Sequence, residues 1–135
     1  MDANPEPGDI VHFEINTRDA KRAKTFYTKL FGWKYKDSDI PGIEYYLIDG
    51  ATPGGAINPQ PTPAKAPVVY FGVDDVDKSV KIVRDQGGKA GDKIPIPGQG
   101  WFSECTDPDG NAFSLFQSDP SVTMGTEHAH QEARA

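Results

Sequence analysis

A chain of 135 residues with 20 acidic and 14 basic side chains is sized for one domain, or for two half-sized modules sharing a core. Its formal charge of −6 argues against nucleic acid as a partner, because a basic stripe supplies most of the affinity for a phosphate backbone. A single cysteine, Cys105, excludes an intrachain disulfide and a cysteine-built zinc cage, and no apolar run approaches a membrane span.

The first residues, MDANPEPGD, lack the basic and apolar pattern of a secretory leader, so a cytoplasmic protein with no membrane partner is expected. Residues 10–16, IVHFEIN, then alternate as a strand. Val11, Phe13 and Ile15 fall on one side, with His12, Glu14 and Asn16 on the other. That polar row is either a wet strand face or one wall of a site. From Asp19 to Phe31 the spacing is helical, with Ala20, Ala23, Phe26, Tyr27, Leu30 and Phe31 on one apolar face. Thr17 or Asp19 can cap its start, and Gly32 follows its end. WKYKDSD, EYYLID and GGAIN are strand candidates separated by turn-forming IPG and GATPGG. NPQPTPAKAP, with four prolines, predicts a stiff extended connector.

Beyond it, VVYFGV predicts a strand, and Val76, Val80 and Val83 line a helix from Asp75 to Gln86 that Gly87 and Gly88 end. KAGDKI, GWFSECTD and NAFSLFQ complete the strands, the last two joined by the turn DPDG. Residues 118–135 have no periodicity and read as a flexible tail, with His128 and His130 solvated.

The two halves repeat one order. Sliding the chain against itself by 56 positions places Asp19 on Asp75, Gly32 on Gly88 and Gly54 on Gly110. Phe13 meets Val69, Ile15 meets Phe71, Tyr45 meets Trp101, and Ile57 meets Phe113, so apolar phase survives where identity does not. Each copy reads strand, helix, then strands.

Two tandem βαβββ units, with FYTKLFGW closing the first helix and DPDGNAFSLFQ closing the last hairpin, resemble the vicinal oxygen chelate superfamily. That superfamily includes glyoxalase I, bleomycin-resistance proteins and extradiol dioxygenases. The resemblance spans residues 9–117, and its motifs mark packing and turns rather than a reaction. It implies an α+β fold in which two modules form an open, cupped β-sheet barrel with helices outside. The modules would be 9–58 and 68–117, joined by the linker 59–67 within one domain. It also implies a cavity between the halves and a homodimer.

In the superfamily's metal enzymes, ligands stand on the first and last strand of each module. Here the matching first-strand residue is His12, and counting from DPDG gives Ser114 on the last strand. The 56-residue offset adds Val68 and Asn58. Valine offers no donor, and an amide and a hydroxyl are weak, uncharged ligands for a divalent cation. The expectation is therefore a pocket without a cofactor, lined by His12, Glu14, Asn58, Val68, Tyr70 and Ser114. A relocated site for nickel, zinc, iron or manganese, built from His12, Glu14 and Glu104, is the alternative. His12 would hydrogen-bond Glu14 or Asn58, while Tyr45, Tyr46, Trp101 and Phe102 read as core or as an aromatic wall. Three functions remain open. The first is binding or sequestration of a small organic ligand. The second is a glyoxalase-like lyase, isomerase or dioxygenase using His12, and the third is an accessory protein with a vestigial cavity.

Overall fold

The computed structural model describes residues 6–61 and 67–123, and the chain groups into two units. The expected histidines of the tail and part of the proline-rich linker, residues 62–66, lie outside the described residues.

The first unit, Val11–Val69, holds β1 (Ile10–Thr17, less its first residue), α1 (Ala20–Phe31), β2 (Lys34–Asp37), β3 (Tyr46–Asp49) and β4 (Gly55–Pro59). Its strands lie in the order β2-β3-β4-β1, with β1 parallel to β4 and the other neighbours antiparallel. Asp19 starts the helix by accepting a hydrogen bond from the Arg22 N–H at 3.0 Å, satisfying a donor that has no partner within the helix. Gly32, at φ 78°, ends it in the left-handed conformation that only glycine adopts without cost. The helix lies against β4.

Alternation then sorts the sheet into two faces. Phe13, Ile57 and Ile48 fall on the helix side, where Ile57 is fully buried, a burial that contributes roughly 1.5–3 kcal/mol. Tyr27 stacks on Trp33 with ring centroids 5.2 Å apart, and Trp33 in turn meets Phe13 at 6.1 Å. Only part of the expected apolar helix face is used: Phe26, Leu30 and Phe31 are each more than half exposed. Phe26 and Phe31 still make ring contacts with Tyr27, and Phe31 also with Trp33.

The second unit holds residues 70–123 and the described part of 1–10. Its elements are β5 (Val68–Gly72, whose first two residues group with the first unit), α2 (Val76–Asp85), β6 (Lys89–Ala90), β7 (Ile94–Ile96), β8 (Gly100–Thr106) and β9 (Ala112–Ser118). The order is β5-β9-β8-β6, with β7 also on β8 and β5 parallel to β9. Asp75 caps α2 through the Lys78 N–H, 56 positions after the Asp19–Arg22 pair. Val76, Val80, Cys105 and Leu115 form the core beneath it, with Phe71, Val83, Trp101 and Phe113 around them. Cys105 is packed as expected, and burial raises its thiol pKa, which works against a reactive thiolate.

The predicted strand KAGDKI is two strands. Ala90 pairs with Cys105 and Ile94 with Phe102, so four steps on one side face three on β8. One residue is therefore extra, a bulge that breaks the ladder at 91–93.

The α+β class and the order of the two βαβββ modules are as the sequence led one to expect. The ungapped repeat is not maintained to the end. Phe13 pairs with Gly55, a separation of 42 positions, but Tyr70 pairs with Ser114, a separation of 44. The offset of 56 holds from β1 to β5 and becomes 58 from β4 to β9. A shift of two preserves the face of every side chain and changes its neighbour.

Candidate functional site

On the first module's helix-free face, β1 supplies His12, Glu14 and Asn16. A two-residue step along a strand puts the Cα atoms of His12 and Glu14 about 6–7 Å apart on one face. Tyr45, just before β3, fills that gap. Its hydroxyl lies 2.8 Å from His12 Nε2 and donates to Glu14 Oε2 at 2.6 Å. The His12 and Tyr45 rings are also stacked, 25° apart in plane with centroids at 6.3 Å. One tyrosine therefore holds both the imidazole and the carboxylate.

A cleft of about 520 Å³ opens over the same face. Its lining includes His12, Lys36, Leu47, Asp49 and Gly54, with Lys36 and Asp49 adding one charge of each sign. The volume is within the range of roughly 300–1,000 Å³ of small-molecule pockets. Burial lowers the pKa of His12 from its ordinary value of 6.5, so the imidazole is neutral at pH 7. Gly55 is the floor beneath the cleft: a Cβ there would lie 2.5 Å from the Phe13 ring.

Asn58 stands farther along the same face. Its amide donates to Asn16 at 2.9 Å and accepts from Gln60 at 3.2 Å. Opposite Glu14 on β4 is Ala56, not Asn58. Because Tyr70 is the counterpart of Glu14, the structural counterpart of Ser114 is Ala56, and that of Asn58 is Phe116.

In the second module, Val68 and Tyr70 share one phase of β5, and Val68 is half-buried. The register aligns Tyr70, Ser114 and Glu104 in one row across β5, β9 and β8. Core residues Cys105 and Leu115 have the opposite phase, so this row lies on the helix-free face. Ser114 is 1% exposed, Glu104 is exposed, and the Tyr70 ring meets Phe102 at 6.1 Å.

Sequence reasoning treated Tyr45 as core or aromatic wall and missed its hydroxyl. The signal was present, since Tyr45, Leu47 and Asp49 alternate together and two of these line the cleft. Which face carries the cleft is not written in that alternation.

His12 Nε2 and Glu14 Oε2 are both held by one tyrosine hydroxyl, and neighbouring Ala56 and Leu47 carry no donor atoms. Among the described residues no three His, Cys, Asp or Glu side chains are placed to share an ion. No helix among them is long and apolar enough to cross a membrane.

Comparison with known proteins gives a concordant result. A family model described as Glyoxalase/Bleomycin resistance protein/Dioxygenase superfamily matches residues 9–115. The chain is 36% identical over 119 residues to CFP32 of Mycobacterium bovis, a protein named as a glyoxylase, covering 81% of this chain and 45% of that one. Its fold is similar to that of the hypothetical protein BH1468 of Bacillus halodurans, with a TM-score of 0.65 and 12% identity over 87% of this chain and 99% of that one. It is also similar to methylmalonyl-CoA epimerase of Streptomyces coelicolor solved in complex with 2-nitronate-propionyl-CoA. There the TM-score is 0.59 with 17% identity, over 84% of this chain and 99% of that one. The chain spans about half the length of the mycobacterial and streptomycete curated relatives it matches, 45% to 50%.

Proposed function

Because this chain belongs to the glyoxalase/bleomycin resistance protein/dioxygenase superfamily, we propose that it binds a small organic ligand in the cleft over the first module's helix-free face. The observation that carries this reading is the Tyr45 hydroxyl bridging His12 and Glu14 at the edge of a ligand-sized space. A few oriented polar groups beside apolar Leu47 make a recognition surface of the usual composition. A structural neighbour is solved with 2-nitronate-propionyl-CoA, which supports a small-molecule role for the fold.

The proposal includes binding without a metal, since the donors nearest the cleft are engaged with one another. It also takes the chain as a cytoplasmic homodimer whose partner is this ligand rather than nucleic acid or a membrane. The greater length of the curated relatives is consistent with two such units acting together.

A second reading is an acid/base enzyme of the lyase or isomerase kind, favoured by the same hydrogen-bonded His12–Tyr45–Glu14 chain. Both readings are tested by calorimetric titration of chelator-treated protein with a panel of small organic compounds, followed by recovery and identification of the bound compound. Stoichiometric binding with the compound recovered unchanged, and at least a tenfold loss in His12→Ala, is the expected result. Recovery of a converted compound would favour the enzyme. Binding that appears only with added nickel, zinc, iron(II) or manganese would overturn the metal-free proposal.

A further inference from the structure

The register of β2 on β3 sets two opposite charges side by side in the cleft. Lys36 stands directly across from Leu47, and Asp49 follows two positions along β3. Side chains two apart on a strand share a face, so Lys36, Leu47 and Asp49 rise from one side of the pair. All three line the cleft. Lys36 and Asp49 are diagonal neighbours, with Cα atoms about 7–8 Å apart. Both are exposed, and neither makes an ion pair among the described residues, with the other or elsewhere. Lys34, directly opposite Asp49, shares this face but not the lining of the cleft.

The cleft therefore offers an ammonium and a carboxylate from adjacent strands. Beside them its lining turns apolar and low. Leu47 supplies hydrocarbon, and a Cβ at Gly54 would meet nothing within 4 Å, so the space over that residue is open. We infer that the cleft takes a ligand of the amino-acid type, with a compact head bearing both charges and a short apolar tail. The ligand's carboxylate meets Lys36, its ammonium meets Asp49, and its tail lies over Leu47 and Gly54. This rests on the cleft being the ligand site proposed above, and goes further by naming the chemical class. A head with one charge satisfies only one of the two protein groups. Because both groups are exposed, water screens each contact, and each is worth about threefold in affinity.

The test is backbone proton–nitrogen shift mapping of nitrogen-15-labelled full-length protein. Four compounds sharing one hydrocarbon tail are titrated: norleucine, hexanoate, pentylamine and pentan-1-ol. Norleucine should perturb Lys36, Leu47, Asp49 and Gly54, and bind about threefold more tightly than hexanoate or pentylamine. Pentan-1-ol should bind most weakly, and about 0.5 M sodium chloride should erase the ranking. Lys36→Met should remove the advantage of norleucine over pentylamine alone, and Asp49→Asn its advantage over hexanoate alone. Equal affinities for all four compounds, with the cleft residues perturbed, would overturn the inference and leave the cleft standing as a binding site. So would a ranking that both variants leave unchanged. If no compound perturbs any cleft residue, the cleft reading and the inference fall together.

Discussion

Replacing Gly100 with alanine is expected to cost roughly 4 kcal/mol or more, enough to unfold a domain of ordinary stability. A Cβ at this position would stand 1.9 Å from the carbonyl oxygen of Gln117 and 2.9 Å from the Asp119 N–H nitrogen. Both are backbone atoms of the neighbouring chain segment, so no side-chain rotation relieves the overlap. The φ of 155° adds conformational strain for any residue with a Cβ. Gly100 starts β8 opposite Ser118, and moving it apart would pull the long β8–β9 ladder from its end. Gly98→Ala is the control: at φ 74° its conformation is also unfavourable for alanine, but its Cβ would meet nothing within 4 Å. It should cost only about 1–2 kcal/mol. Urea denaturation of both variants checks this, and equal midpoints would show that close approach of backbones is not what requires Gly100.

Replacing Tyr45 with phenylalanine is expected to have the largest effect on the candidate site. The ring remains and can still stack, but the hydroxyl that joins His12 to Glu14 is gone. One of the lost hydrogen bonds ends on a carboxylate, so the cost in stability is about 1.5–3 kcal/mol. Ligand affinity should fall several-fold, since the hydroxyl that orients His12 and Glu14 beside the cleft is gone. Thermal unfolding and the same calorimetric titration measure the two effects separately. A variant that loses stability and keeps full affinity would make Tyr45 a packing residue alone.

Much of this fold was legible because its determinants are local. Asp19 and Asp75 each sit before an apolar helical run, and each accepts from the N–H three residues on, as cap chemistry requires. Val76 and Val80, four residues apart, are buried as their spacing implied. Register is less local. The repeat read from glycines and apolar phase was correct for β1 and β5 but two residues out for β4 and β9. The 12-residue α1 and 10-residue α2 differ in length, as do the strands between them. That slip moved the counterpart of Ser114 from Ala56 to Asn58 without changing its face.

The site was legible only in outline. His12 and Glu14 share a strand face by simple alternation, but nothing in the sequence placed the Tyr45 hydroxyl between them. The hydroxyl arrives from 31 to 33 residues away, carried by the pairing of β3 with β4 and β4 with β1. Glu104 was similarly undecided until the β8–β9 register set it beside Ser114. Phe26, Leu30 and Phe31 show the converse limit. Their helical spacing marks an apolar face, yet each is more than half exposed, because spacing marks a face and not what packs on it.

The central claim is that ligand recognition belongs to the cleft beside His12, Tyr45 and Glu14. Backbone proton–nitrogen shift mapping with a ligand identified from the calorimetric panel tests it most directly. The largest perturbations are predicted at His12, Leu47, Ile48, Asp49, Gly54 and Gly55. Saturable binding that leaves those residues unmoved, with its strongest shifts at Phe102, Glu104 and Ser114, would contradict it.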